Sequence, residues 1–149
     1  MTATTSAVTG RSYDDITVGE VLPELAIPLT RTLIVSTAIA TRDFQDVHHD
    51  PELARERGSK DVFMNILTSN GLAGRFVTDW GGPFATVRRV KIRLGAPNYP
   101  GDTMTMTGEV VSKENGRVEV KVVGANSLGN HLSGTVTVAY PAANEGKDA

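Results

Sequence analysis

The apolar residues change their spacing partway along the chain, and that change constrains the fold more than any other feature. In "NILTSNGLAGRFVTDWGG", Ile66, Asn70, Ala73, Val77 and Trp80 recur at helical spacing, and Gly81-Gly82 ends the run. Beyond it the period is two. "TVRRVKIRL" sets Val90, Ile92 and Leu94 against Arg89, Lys91 and Arg93, and "TMTMTGEVV" sets Met104, Met106 and Val110 against Thr103, Thr105 and Thr107. "RVEVKVVG" opposes Val118, Val120 and Val122 to Arg117, Glu119 and Lys121. "HLSGTVTVAY" opposes Leu132, Val136, Val138 and Tyr140 to Ser133, Thr135 and Thr137. Alternation this regular means antiparallel strands with one wetted face. The segments between them ("APNYPGD", "ENGR", "SLGN") carry the Gly, Asn and Pro of hairpin turns. The expectation is an α+β domain in which a four-strand antiparallel meander, with at least one earlier strand, presents one apolar face to a long helix. Gly71 and Gly74 lie inside that helix, where each glycine costs about 1 kcal/mol against alanine, so a close approach to another backbone is expected there.

Upstream, "VLPELAIPLTRTLI" is punctuated by Pro23 and Pro28, which confines any strand to a sheet edge. "LIVSTAIATRDF" fits helix or strand by pattern; a helix ending before Asp43 is the expectation. "DPELARERG" has Asp50 as N-cap, Pro51 at the first helical position and Gly58 as stop. The 149 residues suit one domain, taken as residues 12–141 between frayed tails at 1–11 and 142–149. A content of 40% hydrophobic and 21% charged residues is that of a soluble protein, and a net charge of −2 gives no reason to expect nucleic acid. The absence of cysteine suits a reducing cytoplasm. "MTATTSAVTGRS" lacks the pattern of a signal peptide, and "LIVSTAIA" is too short to cross a membrane.

"TRDFQDVHHDPELARERGSKD" holds two of the chain's three histidines. Asp43 and His48 are either a proton-transferring pair or turn residues that satisfy local backbone groups. Adjacent histidines do not give the i, i+4 geometry of zinc motifs, so a metal site at His49 and Asp50 is disfavoured. Asp50 reads as the helix cap, His49 as its solvent- or partner-facing neighbour, and His131 as a structural residue at the start of a strand.

"RDFQDVHHD" resembles the hydratase motif of the MaoC-like, (R)-specific enoyl-CoA hydratases, in which an Asp, four residues and a His precede a short helix and a long central helix. "HHDPELA" follows that pattern, "GLAGRFVTDW" resembles the central helix of actinobacterial members, and "APNYPGDTMTMTGEV" resembles the hotdog fold after its helix. The likeness runs from about Thr17 to Tyr140. It is strongest to the small subunits of the heteromeric members that act in bacterial cholesterol side-chain degradation. The resemblance implies a single hotdog domain, its antiparallel sheet wrapped around the central helix. It also implies addition of water to an enoyl-CoA, a steroid side-chain thioester above all, with Asp43 and His48 as the catalytic pair. The family's His-Gly at the start of that helix is Asn65-Ile66 here; Asn65 and Asn70 either line the site or cap and fill, and for Asn65 the helix start makes substrate contact the expectation. The backbone N–H of Ile66 is expected to hold the thioester oxygen.

Such a reaction takes a proton from water and gives one to the α-carbon, which a histidine and a carboxylate sharing one water can do. N–H groups at a helix N-terminus stabilise the enolate oxygen. No metal and no cofactor is expected beyond the coenzyme A that the substrate carries. Arg89, Lys91 and Arg93 are either a solvated face or contacts to its phosphates. The implied partner is a larger MaoC-like subunit lacking the motif, with a homodimer as the alternative; neither nucleic acid nor membrane is expected. Two other functions remain open. A hotdog thioesterase would place a carboxylate near the helix start, where this chain has Asn65; a non-catalytic acyl-CoA-binding scaffold would use neither Asp43 nor His48.

Overall fold

In the computed structural model, which describes residues 10–141, the alternating segments become strands β2 (Thr86–Leu94), β3 (Thr103–Glu114), β4 (Arg117–Asn126) and β5 (Gly129–Ala139). A short β1 (Leu25–Pro28) joins them, and all pairings are antiparallel in the order β1-β3-β4-β5-β2. β1 lies at the edge, as suits a strand that ends on Pro28. The sheet's inward residues (Met104, Met106, Val110, Val118, Val120, Val122, Leu132, Val136 and Val138) are all buried. Full burial of a side chain of this size is worth roughly 1.5–3 kcal/mol, so these positions fix which face is inside.

The helices are α1 (Arg31–Ala40), α2 (Pro51–Glu56) and α3 (Ile66–Gly81), with single 3-10 turns at Tyr13–Asp15 and Asp46–His48. Leu72, Ala73, Phe76 and Val77 of α3 meet the sheet core, which is the helix-in-sheet arrangement expected of a hotdog fold. The side chain of Asp50 accepts from the N–H groups of Glu52 (3.0 Å) and Leu53 (3.1 Å), so the predicted cap of α2 is formed. Among the described residues no helix is long and apolar enough to cross a membrane.

Four features differ from the sequence expectation. First, only β3, β4 and β5 form a meander. β2 pairs with β5 at the far edge, so "APNYPGD" is a crossover and not a hairpin. Alternation specifies which face a residue takes but not which strand lies beside it. Second, the buried face of α3 is Thr68, Ser69, Leu72, Ala73, Phe76 and Val77, and Ile66 is 51% exposed. Thr68 and Ser69 hydrogen-bond inside the protein, and a hydropathy pattern reads such residues as surface. Third, nothing lies within 4 Å of a Cβ built on Gly71 or Gly74. The close approach occurs in the sheet: a Cβ on Gly108 would stand 2.8 Å from the Phe76 ring, and one on Gly134 would collide with the Lys91 carbonyl. Fourth, Gly10 and Arg11, assigned to a tail, lie against the domain. Gly10 meets Pro83 and Phe84, and Arg11 pairs with Glu20 and stacks on Trp80 at 4.6 Å. The remaining expected tail residues, 1–9 and 142–149, lie outside the described residues.

Candidate active site

The loop between α1 and α2 brings the predicted pair together. Arg42, at φ 57°, turns the chain out of α1, and the Asp43 N–H closes the helix on the Ala38 carbonyl at 2.9 Å. The 3-10 turn that follows swings His48 inward, to 7% exposure. Its Nδ1 lies 2.7 Å from the Phe63 carbonyl oxygen. A carbonyl only accepts, so in the neutral ring Nδ1 carries the proton and Nε2 the lone pair. The Phe63 ring stands edge-on to the imidazole at 4.9 Å, and the Phe63 N–H donates to the Val47 carbonyl. Ring position and tautomer are thereby set by one residue.

Nε2 of His48 faces Oδ2 of Asp43 at 3.5 Å. Both atoms are acceptors when His48 is neutral, so neither satisfies the other. A water donating one hydrogen to each resolves the conflict, and from that position either group can take its proton. The carboxylate is held from two sides. The Gln45 N–H reaches Oδ1 at 3.5 Å, and Nδ2 of Asn65 donates to Oδ2 at 3.1 Å.

Asn65 departs from the expected substrate contact. It is 1% exposed and every polar atom of its amide is engaged. Oδ1 accepts from the Thr68 N–H (3.0 Å) and hydroxyl, capping α3; Nδ2 donates to the Thr41 hydroxyl (2.9 Å) as well as to Asp43. The cap takes the Thr68 N–H, leaving those of Ile66 and Leu67 without an intrahelical acceptor. Ile66 therefore stands at the helix start with its N–H outside the helix's own hydrogen bonding and its side chain outward.

The other candidates are placed elsewhere. Asp46 pairs with Arg57 at 2.6 Å, and that guanidinium holds its carboxyl below the ordinary range. The pair stiffens the turn between Asp43 and His48, a role the sequence gives no sign of. His49 Nε2 lies 3.1 Å from the Phe44 carbonyl. His131 is buried, with Nδ1 on the Ala96 carbonyl (2.7 Å) and Nε2 at the Ser69 hydroxyl (2.8 Å); burial pushes its pKa below 6.5. Among the described residues no group of three or more His, Cys, Asp or Glu side chains comes together as a metal site. Arg89, Lys91 and Arg93 are exposed on the edge strand β2, opposite Thr137, Thr135 and Ser133 of β5. Thr41 and the Phe63 carbonyl were not foreseen, because backbone acceptors and an isolated threonine leave no sequence pattern. The position of Asn65 just ahead of a helix was the one available signal, that of an N-cap.

The family model described as "MaoC like domain" matches residues 15–130. The chain belongs to the MaoC-like domain family. It is 55% identical over 122 residues to the 3-oxo-4,17-pregnadiene-20-carboxyl-CoA hydratase beta subunit of Mycobacterium tuberculosis, an alignment covering 82% of this chain and 95% of that one. Among solved structures, the ChsH1-ChsH2 complex from Mycobacterium tuberculosis matches with a TM-score of 0.82 at 54% identity, covering 84% of this chain and 98% of that one. The R-hydratase PhaJ1 from Pseudomonas aeruginosa matches with a TM-score of 0.80 at 21% identity, covering 89% and 86%, which shows a shared fold. As a MaoC-like domain, the chain places its Asp-x4-His loop against the N-terminus of the helix that the sheet enfolds.

Proposed function

We propose that this MaoC-like domain is the motif-bearing subunit of an enoyl-CoA hydratase, and that its substrate is a steroid side-chain enoyl-CoA. The observation that carries the reading is the facing pair: His48, whose Nδ1 is engaged by the Phe63 carbonyl, turns Nε2 to Asp43 Oδ2 at 3.5 Å, so that one water beside them can reach both. The water's oxygen bonds to the β-carbon as one of the pair takes its proton, and a proton from the pair completes the α-carbon. The free N–H groups at the start of α3 hold the thioester oxygen while charge resides there. The steroid substrate rests on the name of the relative that is 55% identical, a pregnadiene carboxyl-CoA hydratase beta subunit. The chemistry calls for no cofactor beyond the substrate's coenzyme A, and the cysteine-free composition suits the cytoplasm.

We read the working form as a heteromer with a larger MaoC-like subunit that lacks the motif. Support comes from the relative in the ChsH1-ChsH2 complex and from the edge strand β2. A second copy paired across that edge by a two-fold axis would set Arg89, Lys91 and Arg93 against the same cations, which is destabilising. The half-exposed Ile66 and Leu67 and the uncovered Gly71 on α3 also suit a covering partner.

The test offers the protein, alone and coexpressed with such a subunit, an enoyl-CoA and a saturated acyl-CoA. Hydration removes the absorbance of the conjugated thioester without releasing thiol. Thiol release would make it a thioesterase, and no reaction in either form would make it a scaffold. Light scattering that finds a fully active homodimer would overturn the heteromer alone.

A further inference from the structure

We infer that Asn65 is a positioning residue for the reaction, acting through Asp43 and not by touching substrate; the inference rests on the catalytic reading of Asp43 and His48. The amide has one possible orientation. The Thr68 N–H can only donate, so Oδ1 must face it at 3.0 Å, and Nδ2 must then face Asp43 Oδ2 at 3.1 Å and the Thr41 hydroxyl at 2.9 Å. One buried side chain thus joins three things that the reaction needs in fixed relation: the end of α1 that delivers Asp43, the carboxylate itself, and the N-terminus of α3 whose free N–H groups meet the thioester oxygen.

The geometry also gives a reason for an asparagine at this position. A helix cap needs an acceptor, which Ser, Thr, Asp and Asn all supply. Of these, aspartate has no donor to offer a neighbouring carboxylate, and the hydroxyl of serine or threonine sits on a shorter arm that the cap already engages. Asparagine accepts with one end of its amide and donates with the other. The donor bonds Oδ2, the oxygen that faces His48, and so fixes the direction in which Asp43 presents its remaining lone pairs to the water. Misplacement of a reacting group by about 1 Å costs on the order of 10²-fold in rate.

Asn65→Ser and Asn65→Asp separate this role from capping, because both keep a good N-cap and both remove the donor. In the assembly that carries hydratase activity, Asn65→Ser is expected to fold with a lowered melting temperature, to lose roughly 10- to 100-fold in kcat per folded molecule, and to leave KM within a few-fold. Asn65→Asp adds a like charge beside Asp43, so its loss is larger and the acid limb of its pH–rate profile moves to higher pH. In a cycle with Asp43→Asn, Asn65→Ser should change the residual rate little, since its effect runs through the carboxylate. Wild-type kcat in either folded Asn65 variant overturns the inference, as does a full second loss in the Asp43→Asn background. Should Asn65→Ser fail to fold, the shifted acid limb of Asn65→Asp carries the test. Asp43→Asn alone reports on the underlying reading: if it retains activity, the catalytic pair is wrong, whereas an inactive Asp43→Asn beside an undisturbed Asn65→Ser removes only the role of Asn65.

Discussion

His48 and His131 are both buried, at 7% and 2% exposure, and both place Nδ1 2.7 Å from a backbone carbonyl. They differ at the other nitrogen. Nε2 of His131 meets the Ser69 hydroxyl, a donor, and its hydrogen bonding is complete. Nε2 of His48 meets the Asp43 carboxylate at 3.5 Å, which in the neutral ring sets one acceptor against another. The structural role of His131 and the reactivity proposed for His48 turn on that single partner. Burial and tautomer are the same in both, so neither property by itself marks a catalytic group.

The largest effects should follow from removing the unsatisfied pair. Asp43→Asn keeps the shape and removes the charge; His48→Ala removes the imidazole. Each is expected to lower the hydration rate by roughly 10²–10⁴-fold, and the double variant should be little worse, since groups acting as a unit are not additive. A folded single variant with near wild-type kcat would erase the contrast between the two histidines. The loss in Asn65→Ser comes next in size.

His131→Ala should act in the opposite sense, on stability more than on rate. It strips the buried Ser69 hydroxyl and Ala96 carbonyl of their partner and opens a void, costing about 2–4 kcal/mol in a denaturant titration. Hydration per folded molecule should stay within about tenfold. A variant stable as wild type but inactive would move His131 into the reaction.

The pH dependence sharpens the comparison further. Burial holds the pKa of His131 below its ordinary 6.5, so the unfolded chain binds that proton first as the pH falls. Stability is therefore lost below about pH 6.5 and not above it, until the folded pKa is reached. His131→Gln should flatten that part of the stability curve while leaving its alkaline side unchanged. The smallest effect belongs to the pair between Arg31 and Asp61, two residues before the Phe63 that anchors His48. Hydrogen bonding from Arg31 brings the Asp61 carboxyl down to about 2, so its contribution is present at neutral pH and fades from about pH 4 downward. Arg31 is half exposed, and Arg31→Ala should cost less than about 1 kcal/mol by thermal melt.

Much of this was legible in the chain. Period-2 patterning marked the large apolar residues of β3, β4 and β5 on the sheet's inner face, because burial on one side leaves its record at every second position, while inward glycines such as Gly108 and Gly124 left none. Asp50-Pro51 and Gly58 bounded α2 for local reasons that need no tertiary context. The sequence could not say that β2 crosses to the far edge, since an alternating strand satisfies either neighbour equally. It also hid the inner face of α3 at Thr68 and Ser69, whose polarity is satisfied by partners distant in the chain. At the site, Asp43 and His48 stood out through the resemblance of "RDFQDVHHD" to the hydratase motif. The residues that hold them did not: Phe63 contributes a carbonyl, Thr41 a hydroxyl from a helix end, and Asn65 an amide that looked like a substrate contact until both its ends were accounted for.

If the proposed function holds, water adds across a conjugated thioester at the Asp43–His48 pair. Turnover of an enoyl-CoA in water enriched in heavy oxygen, followed by mass spectrometry of the products, tests it most directly. The expected result is an intact coenzyme A thioester carrying one labelled oxygen, formed by wild type in its active assembly and almost absent with Asp43→Asn. Label recovered in a free carboxylate, or in the thioester equally with Asp43→Asn, would contradict it.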